Sequence, residues 1–531
     1  MSTTRIALSG RGREPFLPPA TPPPANTRSL VRELAPVVAL AFVVGGVAVA
    51  IAYHTHTLLA YSDASSHLFI ARRVLDSRTP SFAQLGTVWL PLPHVLLMLF
   101  VYSDFLWRTG LAGSAVGIPC LAITCSCTYL SVLRVTNHRA AAWTAVIALL
   151  ANLNVLYVHT TALTEPVLLA ALSATAYFLL KWAQTQANLT LITAALLAGL
   201  GIFTRYEAWA FSVMACALVA LIAHSKVPEP ARSEGLTLAF AVPPVYAAGL
   251  WLFYNWLIFG DPLSFARGAG SAFATTTIEG SHMKGNLALS LSTYSWAALD
   301  TLGWPMLGLG AAGLLCYLIR TRLRPDTLVP LLFVALFGVQ VALLFLGQTD
   351  LTTPQSQPPG YYNVRYSFVL IPGVAFFVGY LASVAGRLIP RVLAAAVISL
   401  GLAAFAAIVM TGLPRGVDTL REGLQNMAAR PLGLPLYLHS HYDGGGILLD
   451  ERNSEFVTEA GIPVKDYIGT FNGQLFLNAL RDPSALARWV IYDKANSSDQ
   501  VAVALSSSVV FHSQFRLAKS FGTTQIYRRI A

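Results

Sequence analysis

The sequence predicts a mostly α, polytopic membrane protein that carries a small α/β domain at its C-terminal end. Three observations lead there. The 531 residues are 55% hydrophobic and only 11% charged, with a mean hydropathy of +0.59, outside the range of soluble chains. Apolar segments long enough to cross about 30 Å of hydrocarbon recur between residues 35 and 412. After residue 413 the pattern changes to short alternating strands and small amphipathic helices.

Charge and cysteine usage narrow the class further. The net charge of +10 comes from basic residues between hydrophobic segments, with no basic run, so topology accounts for it and nucleic acid is not an expected partner. Cys120, Cys125, Cys127, Cys216 and Cys316 all lie in apolar segments. They offer no external disulfide framework, and Cys125 and Cys127 point to different helix faces.

In chain order, residues 1–30 are rich in Pro, Arg, Ser and Thr and read as a disordered cytoplasmic tail. The first span, 35–53, follows Arg28 and Arg32 and has no small-residue cleavage site after it, the pattern of a retained anchor. Further spans are centred at 111–133, 140–157, 164–181, 189–203, 207–223, 237–258, 299–319, 327–347, 366–386 and 392–412, about eleven in all. The segment LPHVLLMLFVYSDFL at 92–106 is short and runs into Asp104 and Arg108, so it reads as a helix at the outer interface. With that choice Arg134, Arg139, Lys181, Lys226, Arg232, Arg320, Arg322, Arg324, Arg387 and Arg391 fall on the cytoplasmic side, as the positive-inside rule requires. A transmembrane domain then covers 31–413, with an external loop at 54–110.

Residues 414–531 form the external domain. GILLD (446–450), VKDYI (464–468), WVIYD (489–493) and FRLAKSF (515–521) read as strands; EFVTEAG, GQLFLNALRD and DQVAVALSS read as helices between them. Asp450, Glu451, His439 and His441 read as turn and cap residues.

Five elements reach the outer side: 54–110, 158–165, TRYEAW at 204–209, 259–298 and 348–365. The first is the leading active-site candidate, because Asp63, His67, Arg72, Arg73 and Asp76 crowd beside the first span, and charges at the edge of hydrocarbon are costly and usually kept for function. Structural readings stand beside the functional ones. Asp63 suits a helix start before ASSHL, and Glu165 before Pro166 suits the first turn of a helix. Arg365, in YYNVRYSF, suits snorkelling to the interface or forking onto phosphate oxygens; Arg205 can pair with Glu207. Arg72 and Arg73 are adjacent and cannot both face one site from a helix. Trp89, His94, Tyr361 and Tyr362 suit an aromatic belt as well as sugar stacking. Arg267, His282 and Lys284 belong to a solvated loop or to one that closes over a ligand.

The order of elements resembles a family. An aspartate after the first span, PLPH in the first external loop, TALTEP after the third span, TRYEAW after the fifth, GDPLSF opening a later loop and VRYSFVLIP entering a late span together look like the GT-C glycosyltransferases, in particular the protein O-mannosyltransferase and aminoarabinose transferase branch. The likeness covers residues 35–412. It implies transfer of a sugar from a polyprenyl phosphate lipid to a hydroxyl acceptor, whether protein, glycolipid or polysaccharide, outside a bacterial plasma membrane, with inversion at the anomeric carbon. Asp63 matches the family's catalytic aspartate and is expected as general base, with His67 orienting it or touching a hydroxyl. Glu165 matches the second carboxylate and is set beside Asp63 as catalytic, with binding to a sugar hydroxyl or an arginine as its expected part. Expected on substrate are Arg365 at the lipid phosphate, Arg205 and Tyr206 of TRYEAW, Tyr362, one of Arg72 and Arg73, and Arg108, which resembles an arginine common in the family. Branches differ in metal use, and a single Glu stands where others have paired carboxylates, so a divalent metal is an open cofactor.

Two other classes compete. A secondary transporter would share the helix count, but no two matching halves with Gly/Pro-broken segments occur, and the polar groups lie in outer loops. A non-catalytic assembly component would keep the fold and dispense with Asp63 and Glu165.

Overall fold

The computed structural model describes residues 27–530 except residue 87 and residues 269–270, 272–281, 387–389, 413–415, 432 and 452–453. The expected tail therefore lies, up to residue 26, outside the described residues, as do Arg387 and much of the loop after GDPLSF.

The chain is helical through its first four-fifths. α1 (Thr27–His54) leads to a stretch with three shorter helices, α2 (Ser62–Asp76), α3 (Pro91–Val101) and α4 (Asp104–Thr109). There follow α5 (Leu111–Thr136), α6 (Arg139–Leu150), α7 (Leu153–Thr160), α8 (Glu165–Thr185), α9 (Asn188–Ile202), α10 (Glu207–Lys226), α11 (Pro230–Phe259) and the short α12 (Ser264–Arg267). The remaining membrane helices are α13 (Leu287–Leu302), α14 (Trp304–Thr321), α15 (Leu331–Phe345), α16 (Ile371–Ala385) and α17 (Arg391–Thr411).

All the segments expected to span are helical, but their lengths alter the count. Seven helices are long and apolar enough to cross a membrane, or nine when each of two bent pairs is one span. α9 and α15 are 15 residues each, about 22 Å long, short of the roughly 30 Å of hydrocarbon. Length and composition alone thus do not reach the expected eleven. The protein is an integral membrane protein on any of these counts.

Both bends have local causes, and they meet. α6 and α7 are bent by 64° and α13 and α14 by 109°. Asn152 starts α7 by accepting from Val155 N at 3.0 Å, and its amide donates to Thr301 O at 2.9 Å and Leu302 O at 3.3 Å at the end of α13. One side chain thereby satisfies groups that both broken ends leave open. Gly303, at φ +77°, makes the second corner in a region that disfavours other residues.

Small residues let α5 meet α7 closely. A Cβ on Gly117 would lie 2.1 Å from His159 O and one on Gly113 2.3 Å from Ala162 N, while Ser114 Oγ donates to Thr160 O at 2.5 Å. Such contacts replace the hydrophobic drive that lipid removes. They set the chain immediately before Glu165.

Beyond α17 come α18 (Asp418–Ala429), α19 (Leu434–His441) and a five-stranded sheet: β1 (Ile447–Leu449), β2 (Tyr467–Ile468), β3 (Trp489–Asp493), β4 (Phe515–Phe521) and β5 (Thr524–Arg529). The order is β2-β1-β3-β5-β4; β1 pairs parallel with β2 and β3, and β5 antiparallel with β3 and β4. Of the expected strand VKDYI only Tyr467–Ile468 pairs, because Val464–Asp466 forms a 3-10 turn after Pro463. TQIYRR, read as no element from the sequence, is the hairpin partner of FRLAKSF. Asp450 accepts from Gln500 N at 2.9 Å and Glu451 pairs with Arg73.

Candidate functional site at the outer end of the helices

Residues from four elements far apart in sequence join in one ionic chain that runs through Arg365. Arg365, in the 3-10 turn that enters α16, is 4% exposed. Its Nη2 donates to Asp63 Oδ2 at 2.5 Å and its Nε to Glu165 Oε1 at 2.8 Å. Glu165 Oε1 accepts again from Arg205 Nη1 at 2.9 Å, and Arg205 Nη2 donates to Glu207 Oε1 at 2.8 Å. The result is an alternating chain Asp63–Arg365–Glu165–Arg205–Glu207 in which every charge has an opposite neighbour, as burial demands.

Each charge sits where its backbone places it. Asp63 is in the first turn of α2, and Tyr61, the residue before the helix, is extended and caps nothing with its side chain, so Asp63 is not the cap. Glu165 opens α8 ahead of Pro166, and Arg205 and Glu207 flank the start of α10. Two aromatic rings support the cations: Arg365 lies 4.5 Å from the Tyr61 ring centroid, and Arg205 5.0 Å from that of Tyr366.

The chain is open at one end. The Asp63 side chain is 25% exposed, whereas those of Glu165 and Arg365 are 3% and 5% exposed. Tyr362, 43% exposed, precedes Arg365 by one turn and exchanges backbone hydrogen bonds with Thr352. Arg365 Nη1 and Glu165 Oε2 are buried without a hydrogen-bond partner among the described residues.

Other residues singled out in the sequence face elsewhere. His67 lies one turn beyond Asp63, yet its Nδ1 pairs with His94 Nε2 at 2.9 Å and its ring stands edge-on to Trp89 at 4.6 Å. Burial first, then the charges of Arg365 and Arg205, push its pKa down to about 3, so it is a neutral wall behind Asp63. Arg72 donates to Val101 O at 2.5 Å and Asp104 Oδ1 at 2.7 Å, holding the end of α3 against α4. Arg73 donates to Gln84 O at 2.6 Å, pairs with Glu451 and lies between the rings of Phe69 and Phe471. Arg108 donates to Gly461 O at 2.8 Å. These three bind the stretch between α1 and α5 to itself and to the C-terminal region; Arg72 and Arg73, at successive positions on α2, both point off the Asp63 face. Tyr206 donates to Val88 O at 2.9 Å and stacks on Phe265.

Tyr366 and Glu422 belong to this cluster, and reading the sequence did not mark them. Glu422, on α18, is 1% exposed and accepts from Tyr61 OH and, at 2.7 Å, from Asn363 N. The signal was an amphipathic helix directly after the last span, with Thr419, Glu422, Gly423 and Asn426 on one face.

As for a metal, no group of three or more His, Cys, Asp or Glu side chains able to hold one occurs among the described residues. Asp63 and Glu165 close on a guanidinium, which already supplies the positive charge between them.

Comparison with known proteins agrees with the architecture. Residues 108–251 match the family model described as dolichyl-phosphate-mannose-protein mannosyltransferase. Among solved structures, ArnT from Cupriavidus metallidurans in the apo state superposes with a TM-score of 0.52 at 13% identity, over 91% of this chain and 97% of that one. The Archaeoglobus fulgidus oligosaccharyltransferase tethered to an acceptor peptide gives a TM-score of 0.41 at 12% identity, over 92% and 74%. No curated protein matches the sequence. The chain shares the fold of that ArnT structure over nearly its whole length, and residues 108–251 resemble the mannosyltransferase family model.

Proposed function

We propose that the protein is a membrane glycosyltransferase that moves a sugar from a polyprenyl-phosphate-linked donor to a hydroxyl acceptor on the extracytoplasmic face of a bacterial plasma membrane. One observation carries this reading: the buried ionic chain ends in a single accessible carboxylate, Asp63, held by an arginine that keeps a donor unused.

Asp63 takes the proton of the acceptor hydroxyl. The freed oxygen attacks the anomeric carbon, and the bond from that carbon to the phosphate oxygen breaks with its electron pair on phosphate. Arg365 Nη1, buried and unpartnered among the described residues, donates to the departing phosphate, where fixed donors in a low-dielectric site act most strongly. Arg205 and Glu165 hold Arg365 in place. Tyr362, exposed beside Arg365, lines the entry for sugar or lipid. Because the donor is already activated, no nucleotide is consumed outside.

The test is transfer of radiolabelled sugar from a panel of synthetic polyprenyl phosphate sugars by the purified protein and its Asp63→Asn variant, with membrane extract as acceptor. Labelled product from one donor, lost in the variant, supports the reading. Absence of turnover with every donor, in folded protein that binds donor, turns it toward a non-catalytic component.

A further inference from the structure

α18 lies outside the transmembrane helices, yet it touches the site more closely than most of them. Its buried face fastens three separate stretches of the chain. Thr419 N and Oγ1 donate to Asn154 Oδ1 on α7, at 3.1 and 2.8 Å. Asn426 Oδ1 accepts from Ser62 N and Oγ at 3.3 and 3.1 Å, at the first residue of the helix that carries Asp63. Between them, Glu422 Oε1 takes hydrogen bonds from Tyr61 OH and from Asn363 N. These are residues i, i+3 and i+7 of one helix, so a single face carries all three contacts.

The two donors to Glu422 adjoin the two ends of the reacting pair. Tyr61 is two residues before Asp63, and Asn363 two before Arg365; the Tyr61 ring also lies under the Arg365 guanidinium at 4.5 Å. The approach is close because residue 423 is glycine: a Cβ there would lie 3.2 Å from Tyr61 N and 3.0 Å from Tyr157 OH. Glu422 is 1% exposed, and its Oε2 has no hydrogen-bond partner among the described residues. Burying such a group is costly. Nothing in packing calls for a carboxylate at this depth, whereas two buried donors that must be held at a fixed separation do.

We propose that Glu422 is a positioning residue of the transfer reaction: through one oxygen it ties the start of α2 to the turn before α16, and so sets the Asp63–Arg365 geometry from the C-terminal side of the chain. The inference rests on the glycosyl transfer proposed above. Glu422 touches no substrate; it acts through Tyr61 and Asn363. It makes the segment after the last span part of the active site, and the C-terminal domain, anchored to the same stretch by Arg430 Nη2 on Leu59 O at 2.8 Å, part of its scaffold.

The experiment compares Glu422→Ala and Glu422→Gln in the full-length protein, by transfer kinetics and by amide exchange. Glutamine keeps the accepting oxygen; alanine removes it. The expected result is a kcat roughly tenfold or more lower in E422A, since small misplacements of reacting groups are expensive, with donor KM within about threefold, and recovery of most of that loss in E422Q. Amide exchange should quicken in residues 60–66 and 361–367 of E422A and stay near wild type in E422Q. Wild-type kcat in E422A, or a change confined to KM, overturns the proposal. Should the wild-type protein transfer no sugar, the reaction falls and with it the role assigned here, while unchanged exchange in E422A overturns the positioning by Glu422 on its own.

Discussion

Arg365 and Asp63 are 302 positions apart in sequence and joined by a 2.5 Å contact. The same guanidinium reaches Glu165 through its Nε, at 2.8 Å. A planar, forked cation can serve two carboxylates at once. A lysine ammonium also has several donors, but on a flexible stem it does not hold two carboxylates in this fixed, planar arrangement.

Arg365→Lys is therefore not conservative. It should leave Glu165 or Asp63 unmatched and lower stability by about 1–3 kcal/mol, with transfer reduced by roughly a hundredfold. Thermal unfolding in detergent and the transfer assay measure the two effects; an unchanged melting temperature would mean that the fork is not needed.

Asp63→Asn should separate charge from structure. Asparagine still offers Arg365 an oxygen but does not accept the hydroxyl proton, so melting should shift little while kcat falls about 10²–10⁴-fold. A variant that unfolds would instead show Asp63 to be structural.

His67 gives a pH dependence with a fixed sign. Its folded pKa, about 3, lies below the ordinary 6.5. Between those values the unfolded chain holds a proton that the folded one does not, so stability is full above pH 6.5 and is lost as pH falls toward 3. His67→Gln should remove one such proton, reducing the slope of unfolding free energy by about 1.4 kcal/mol per pH unit. Melting curves of both proteins from about pH 7 to pH 5 test this; parallel curves would place the proton elsewhere.

Gly117→Ala should destabilise even though alanine is the better helix former by about 1 kcal/mol. The new Cβ would meet His159 O at 2.1 Å, forcing α5 from α7 at a cost of about 1–3 kcal/mol or more. Loss of transfer should follow, since Glu165 lies just beyond that contact. A raised melting temperature would refute the close packing.

How much was legible follows from the kind of signal each residue sends. The spans announce themselves because lipid imposes long apolar runs, and the strand WVIYD because β-branched and aromatic residues cluster there. TQIYRR ends in two exposed arginines that mask a strand whose Thr524, Ile526 and Tyr527 are buried between β3 and β4. Arg72, Arg73 and Arg108 drew attention as cations at a membrane edge, but their partners are carbonyls and carboxylates of neighbouring loops. Charge type does not reveal which way a side chain turns.

The sequence by itself determined the membrane class, the helical segments, the strands and helices of the C-terminal region and the stretches in which charge meets hydrocarbon, because local hydrophobicity and periodicity decide these. Only the tertiary structure decided that Asp63, Glu165, Arg205 and Arg365 form one chain, that His67 turns to His94, and that Glu422 joins the site. Those facts depend on where separate helices end and how closely glycines let them approach, and a partner hundreds of residues away leaves no trace in local pattern.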